Sequence, residues 1–159
     1  MGGMQMILVI GALTLLSVLS LNSNRAQLLS EAQVSDAEFT VAATSVGQST
    51  LNDICSRAFD AATVSSDTAT LPRFTEPARF GANLNEAGTT DDVDDYHGFV
   101  TNITTPRAGA FRVSAIVWYV NPSTPDVQSL SKTHMKRIQI TVASDFMEEP
   151  VTLVYHKSY

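Results

Sequence analysis

Hydrophobic and polar positions divide this chain into three stretches with different periods. From Met4 to Leu21 the sequence runs MQMILVIGALTLLSVLSL, apolar apart from Gln5, Thr14, Ser17 and Ser20. A run of that length with no polar face predicts a helix that is apolar on all sides. At 1.5 Å per residue, a helix over residues 1–24 would extend about 36 Å, enough to cross a hydrocarbon core of roughly 30 Å.

After Arg25 the period changes. Leu28, Ala32, Phe39, Ala43, Val46, Ile54, Ala58 and Ala61 recur mostly three, four or seven residues apart and trace one helical face. No proline precedes Pro72, and Gly47 is the only glycine between Arg25 and Ala62. One continuous helix to about residue 62 is therefore expected. Asp53 and Arg57 form an i,i+4 pair along it. Val34, Val41 and Phe59 fall on roughly the opposite side. A helix with its own domain on one face and neighbouring subunits on the other would need them there; scattered surface apolars are the plain alternative.

The third stretch is strand-like. Residues 63–109 are rich in Ser, Thr, Asp, Gly and Pro and read as a long irregular connection. Phe111–Val120 is β-branched and aromatic, Met135–Ala143 alternates with period two, and Val151–His156 follows Pro150. In the second of these, Lys136 shares a phase with Ile138, Ile140 and Val142. Loops containing Asn121-Pro122 and Ser144-Asp145 suit an antiparallel meander packed on the amphipathic helix half. The fold class expected is α+β: a long N-terminal helix on a small antiparallel sheet. Its divisions are 1–24 (apolar helix), 25–62 (amphipathic helix) and 63–159 (globular domain).

Charge sharpens this picture. Of 159 residues only 16% are charged, and none of the first twenty-four is Asp, Glu, Lys or Arg. The net charge of −6 argues against a nucleic-acid partner, which requires clustered Lys and Arg. Lys132, Lys136 and Arg137 form the only local basic group and read as the polar face of a strand. The single Cys55 excludes an intrachain disulfide and reads as a small apolar helix residue. A signal peptide or signal anchor would carry flanking positive charge, whereas this chain starts Met-Gly-Gly-Met-Gln. A basic leader already removed is a third reading.

Met1, the apolar run Met6–Leu21 and the uninterrupted stretch after Arg25 resemble, in order and length, the N-terminus of mature type IV pilins and pseudopilins. The resemblance covers about residues 1–62 and extends to the remainder only in architecture. It implies a structural subunit of an extracellular filament, with a methylated N-terminus and an inner-membrane pool before assembly. The partners it implies are identical subunits and the pilus assembly machinery. The assembly surface would include Met1, Gln5, Leu8, Val9, Leu13 and Leu16. Two departures stand out. Gln5 replaces the family's usual glutamate and supplies no charge to pair with a neighbouring terminal amine. Asn22-Ser23-Asn24 occupies the region where many members carry proline. A start at an initiator methionine, with Gly2-Gly3 before Met4 as a short cleavage site, is the other reading of the N-terminus. A minor pseudopilin of a secretion system and a monomeric membrane-anchored binding domain are the competing functions.

Candidate chemistry is sparse. Asp91, Asp92, Asp94 and Asp95 could offer oxygen ligands to calcium, and some pseudopilins bind calcium in this domain. The spacing is not that of an EF-hand, and a solvated acidic loop or helix-capping aspartates are the alternatives. Asn102-Ile103-Thr104 matches a glycosylation sequon. His97, His134 and His156 are isolated, and no P-loop, G-x-S-x-G elbow or dinucleotide fingerprint occurs. No enzymatic activity and no cofactor beyond possible calcium is expected. Tyr96, Trp118, Tyr155 and Tyr159 are candidate adhesive aromatics, with Trp118 expected inside the sheet core.

Overall fold

A helix with no charged residue in its first two dozen positions runs on, unbroken, into the side of a sheet. This is helix α1, Gly2–Ser56, in a computed structural model that describes residues 2–64, 69–81 and 90–159. The arrangement is α+β, as the periodicity predicts. The chain divides into two units within α1, Met1–Glu38 and Phe39–Tyr159.

In the first unit the large apolar side chains all face outward. Met4 is 78% exposed, and Leu28, Leu29 and Val34 are exposed as well. The helical face that the sequence assigns to packing from Leu28 onward therefore makes its contacts only from Phe39; the side chain of Ala32 lies outside the described residues.

In the second unit, among the described residues, five strands form one antiparallel sheet: β1 (Phe99–Thr105), β2 (Gly109–Asn121), β3 (Thr124–Gln128), β4 (Met135–Ala143) and β5 (Val151–Ser158). The strand order is β1-β2-β4-β5, with β3 folded back on the end of β2. Three strands match the sequence expectation, β2 and β5 running slightly longer. Strand β1 lies in the stretch read as irregular, although FVTNITT alternates and is β-branched. Strand β3 lies in the connection that follows Asn121-Pro122, expected as a loop, with Pro125 at the sheet margin where proline is tolerated.

Period-two alternation sends Phe111, Val113, Ala115, Val117 and Tyr119 of β2 to one face, with Ile138, Ile140 and Val142 of β4 beside them. All eight are fully buried. The facing helix supplies Ala43, Val46, Leu51 and Ile54, each spaced to fall on one side. Burial of a side chain such as Ile54 contributes about 1.5–3 kcal/mol. Val41 points away and is exposed, whereas Phe59 is buried because the helix has already ended. Trp118 is not in the core: it lies half-buried on the outer face, with the Arg137 guanidinium 5.4 Å from its ring.

No glycine or proline stops α1 at Ser56, six residues short of the sequence expectation. Tertiary contacts do so instead. Lys157 of β5 donates to the Cys55 carbonyl at 2.9 Å and to that of Arg57, satisfying groups a helix end leaves open. Residues 57–60 then run beside the acidic segment, with Ala58 N–H on the Asp91 carbonyl and Val93 N–H on the Ala58 carbonyl. A four-residue helix, α2 (Ala61–Val64), follows.

Helix and sheet approach closely at Gly47. A Cβ there would lie 2.7 Å from Leu153 Cδ1 and 3.1 Å from Val142 Cγ2. Gly47→Ala should be nearly neutral, since the Leu153 tip can turn aside and helix propensity gains about 1 kcal/mol. Gly47→Val should cost about 2–3 kcal/mol in urea unfolding, because a branched side chain forces the layers apart. Equal stability of the two variants would contradict the close approach.

Candidate functional site

Strand phase places Lys136 among the buried residues of β4, so its ammonium leaves water completely. Such a charge is tolerated only with partners that use all of its protons. Nζ lies 2.7 Å from Asp94 Oδ1, 2.9 Å from Asp60 Oδ2 and 2.7 Å from the Phe59 carbonyl. Around it stand the rings of Phe59, Phe80 and Tyr119, with centroids 4.6, 5.1 and 5.2 Å from Nζ. The basic group is thus not one polar face. Lys132 precedes β4 and pairs with Glu76, Lys136 is in the core, and Arg137 is on the opposite side of the sheet, paired with Asp126.

Asp60 is as buried as Lys136. Its carboxylate accepts the Thr75 and Ala62 backbone N–H groups and the Tyr119 hydroxyl at 3.1 Å. Burial works to raise its pKa, but the Lys136 charge and these hydrogen bonds prevail and hold it below the usual carboxylate value. Burial, with the charges of Asp60 and Asp94, pushes the Tyr119 hydroxyl up, so it remains a donor.

The structure splits the acidic segment. Asp94 turns to Lys136, while ligand atoms of Asp91, Asp92 and Asp95 lie within 4.8 Å of one another. Asp92, Asp94 and Asp95 are buried, so the segment is not a solvated loop. Its carboxylates shape the chain instead. Asp92 Oδ1 accepts the N–H groups of Asp94 and Asp95, and Asp95 Oδ2 accepts those of Asp91 and Asp92. Three carboxylates this close must offset one another's charge, and two of them already accept backbone N–H groups. A proton does part of that work. Burial, a hydrogen bond to Asp94 and the charges of Asp94 and Asp95 push Asp92 up to about 9.

The other predicted positions stay apart. Gln5, Leu8, Val9, Leu13 and Leu16 are exposed on α1, and Met1 lies outside the described residues. Asn102 and Thr104 project from the exposed face of edge strand β1. His97 Nδ1 sits 2.6 Å from the Val117 carbonyl, His156 Nε2 3.1 Å from that of Pro125, and His134 stacks on Tyr159. Cys55 is half-buried, and burial pushes its thiol up, away from reactivity. Asp60 was not among the residues the sequence singled out. A lysine in the apolar phase of β4 was the one available signal for this site.

No protein-family model, curated protein or solved structure matches this chain.

The raised pKa of Asp92 carries a sign. An unfolded aspartate titrates near about 3.9. Between there and about 9 the folded state holds a proton the unfolded state has lost, so stability falls as pH rises through that window. Below it both states are protonated and the penalty vanishes. Asp92→Asn keeps the acceptor oxygen without the charge. Its unfolding free energy in urea should exceed that of the native chain by about 1–3 kcal/mol at about pH 8, and the gap should shrink at about pH 5. A gap independent of pH would contradict a protonated Asp92.

Proposed function

We propose that this chain is a structural subunit of a type IV pilin-like filament, held in the membrane by its N-terminal helix before assembly and displayed at the cell surface afterwards. One observation carries the reading: outward-facing apolar positions of α1 continue well past the length a bilayer needs. A span uses about 20 residues, which Met4–Leu21 nearly supplies. Leu28, Leu29, Val34 and Val41 are exposed beyond it. No residue from Phe39 to Asn52 is charged, and the outer face there is Thr40, Val41, Thr44, Ser45, Gln48, Ser49 and Asn52. A monomeric anchor leaves that surface in water to no purpose. Packing against the helices of identical subunits gives it a partner.

The physical exchange is simple. Leaving lipid exposes Leu8, Val9, Leu13 and Leu16, and burial against neighbouring helices recovers that surface at about 25 cal/mol per Å². Contacts between different surfaces of successive copies do not close on themselves, so they propagate as a fibre. Gln5 supplies a hydrogen-bonding amide but no charge, which leaves packing as the main source of cohesion. No catalytic role is assigned.

Negative-stain microscopy of assemblies purified from the producing cells tests the reading. Filaments should be present with the native chain and absent with Leu8→Glu, which puts a charge into the proposed core. A native chain recovered only as a detergent-stable monomer would contradict the proposal and favour a membrane-anchored binding domain.

A further inference from the structure

We propose that Lys136 and Asp60 are joined by an intramolecular isopeptide bond, formed without any other enzyme and with Asp94 as the acid–base catalyst. The inference rests on the buried cluster alone and stands apart from the filament reading.

The geometry supplies what the condensation requires. The nucleophile Nζ and the acceptor carboxyl are held 2.9 Å apart, and both side chains are fully buried. That contact replaces a bimolecular encounter by a fixed one. The second carboxylate, Asp94, is 2% exposed and lies 2.7 Å from the same Nζ, within reach of the proton it must take. Three aromatic rings exclude water from the ammonium. With water excluded, a proton passed from the ammonium to Asp94 leaves an amine free to attack the adjacent carboxyl.

The step balances without a co-reactant. Lys136 Nζ gives a proton to Asp94, which relays it to Asp60 Oδ2, and the freed lone pair then attacks Cγ of the neutral carboxyl. Negative charge develops on Asp60 Oδ1, which already accepts the Ala62 and Thr75 N–H groups, each at 3.2 Å. The Cγ–Oδ2 bond then breaks as Oδ2 departs, steadied by the Tyr119 hydroxyl. Of the three ammonium protons, one stays on the new amide and two leave with Oδ2 as water. Asp94 ferries them and ends as the carboxylate it began as.

The bond would span 76 residues of chain and tie the segment just beyond α1 to β4. Tension along the helix would then enter the sheet through a covalent link rather than through side-chain packing. An ion pair alone offers no such path.

Mass spectrometry of the native full-length chain, purified in detergent, denatured and digested with trypsin, tests this. The expected product is one branched species containing Asp60 and Lys136, lighter by one water than its two peptides together, with no cleavage after Lys136. Separate peptides with cleavage after Lys136 from folded protein would overturn the proposal. Asp94→Asn keeps both bonding residues and should yield the unlinked peptides; a fully linked Asp94→Asn would overturn the role of Asp94. The native digest needs no variant to fold, so it decides the bond by itself.

Discussion

A lysine cannot be withdrawn from water alone, and the partners that Lys136 requires hold this fold together. Its three acceptors come from segments far apart in the chain: Phe59 and Asp60 just beyond α1, and Asp94 from the acidic segment. Each must arrive for the charge to be buried. Losing the lysine leaves two buried carboxylates uncompensated, a loss typically worth 3–5 kcal/mol. Strand β5 reinforces the same junction, because Lys157 holds the last carbonyls of the helix. The end of α1 is thus fixed by two lysines from neighbouring strands, with Lys136 and Lys157 directly paired in register.

The helix leading to that junction has two parts, which divide at Phe39. From Phe39 to Ile54 one face is committed to the sheet, closely enough at Gly47 to exclude any larger side chain without repacking. Among the described residues, the large side chains of the remaining surface and of the helix before Phe39 are exposed. The character of that stretch is unusual for a soluble surface. Large aliphatics or small hydroxyl and amide side chains dominate it, and charges are confined to Arg25, Glu31, Asp36, Glu38 and Asp53. In the proposed filament, such a surface would meet lipid before assembly at one end and other helices along the rest.

Much of the architecture was legible because it rests on local periodicity. The apolar run, the 3.6-residue face from Phe39 and the alternation in Met135–Ala143 each led to the element observed. What escaped was set by distance. Asp60 and Asp94 lie 76 and 42 residues from Lys136, and no spacing rule connects them. The helix terminus escaped for the same reason: Arg57 and Ala58 are good helix formers, and strand lysines capture the carbonyls around them. Strand β1 was a different failure. Its alternation is plain in FVTNITT, but the surrounding Asp, Gly and Pro residues masked it. The phase of Lys136 was visible as well, and its consequence, a buried charge demanding acids from elsewhere, could have been drawn from it.

Hydroxyl-radical footprinting of the chain in its native assembly and in detergent tests most directly whether the free surface of α1 is a contact between copies. Detergent covers the apolar span but not the helix beyond it. Leu28, Leu29, Val34 and Val41 should lose reactivity on assembly, while Leu130, 87% exposed on the globular unit, should keep it. Equal reactivity of the four helix residues in both states would contradict the account.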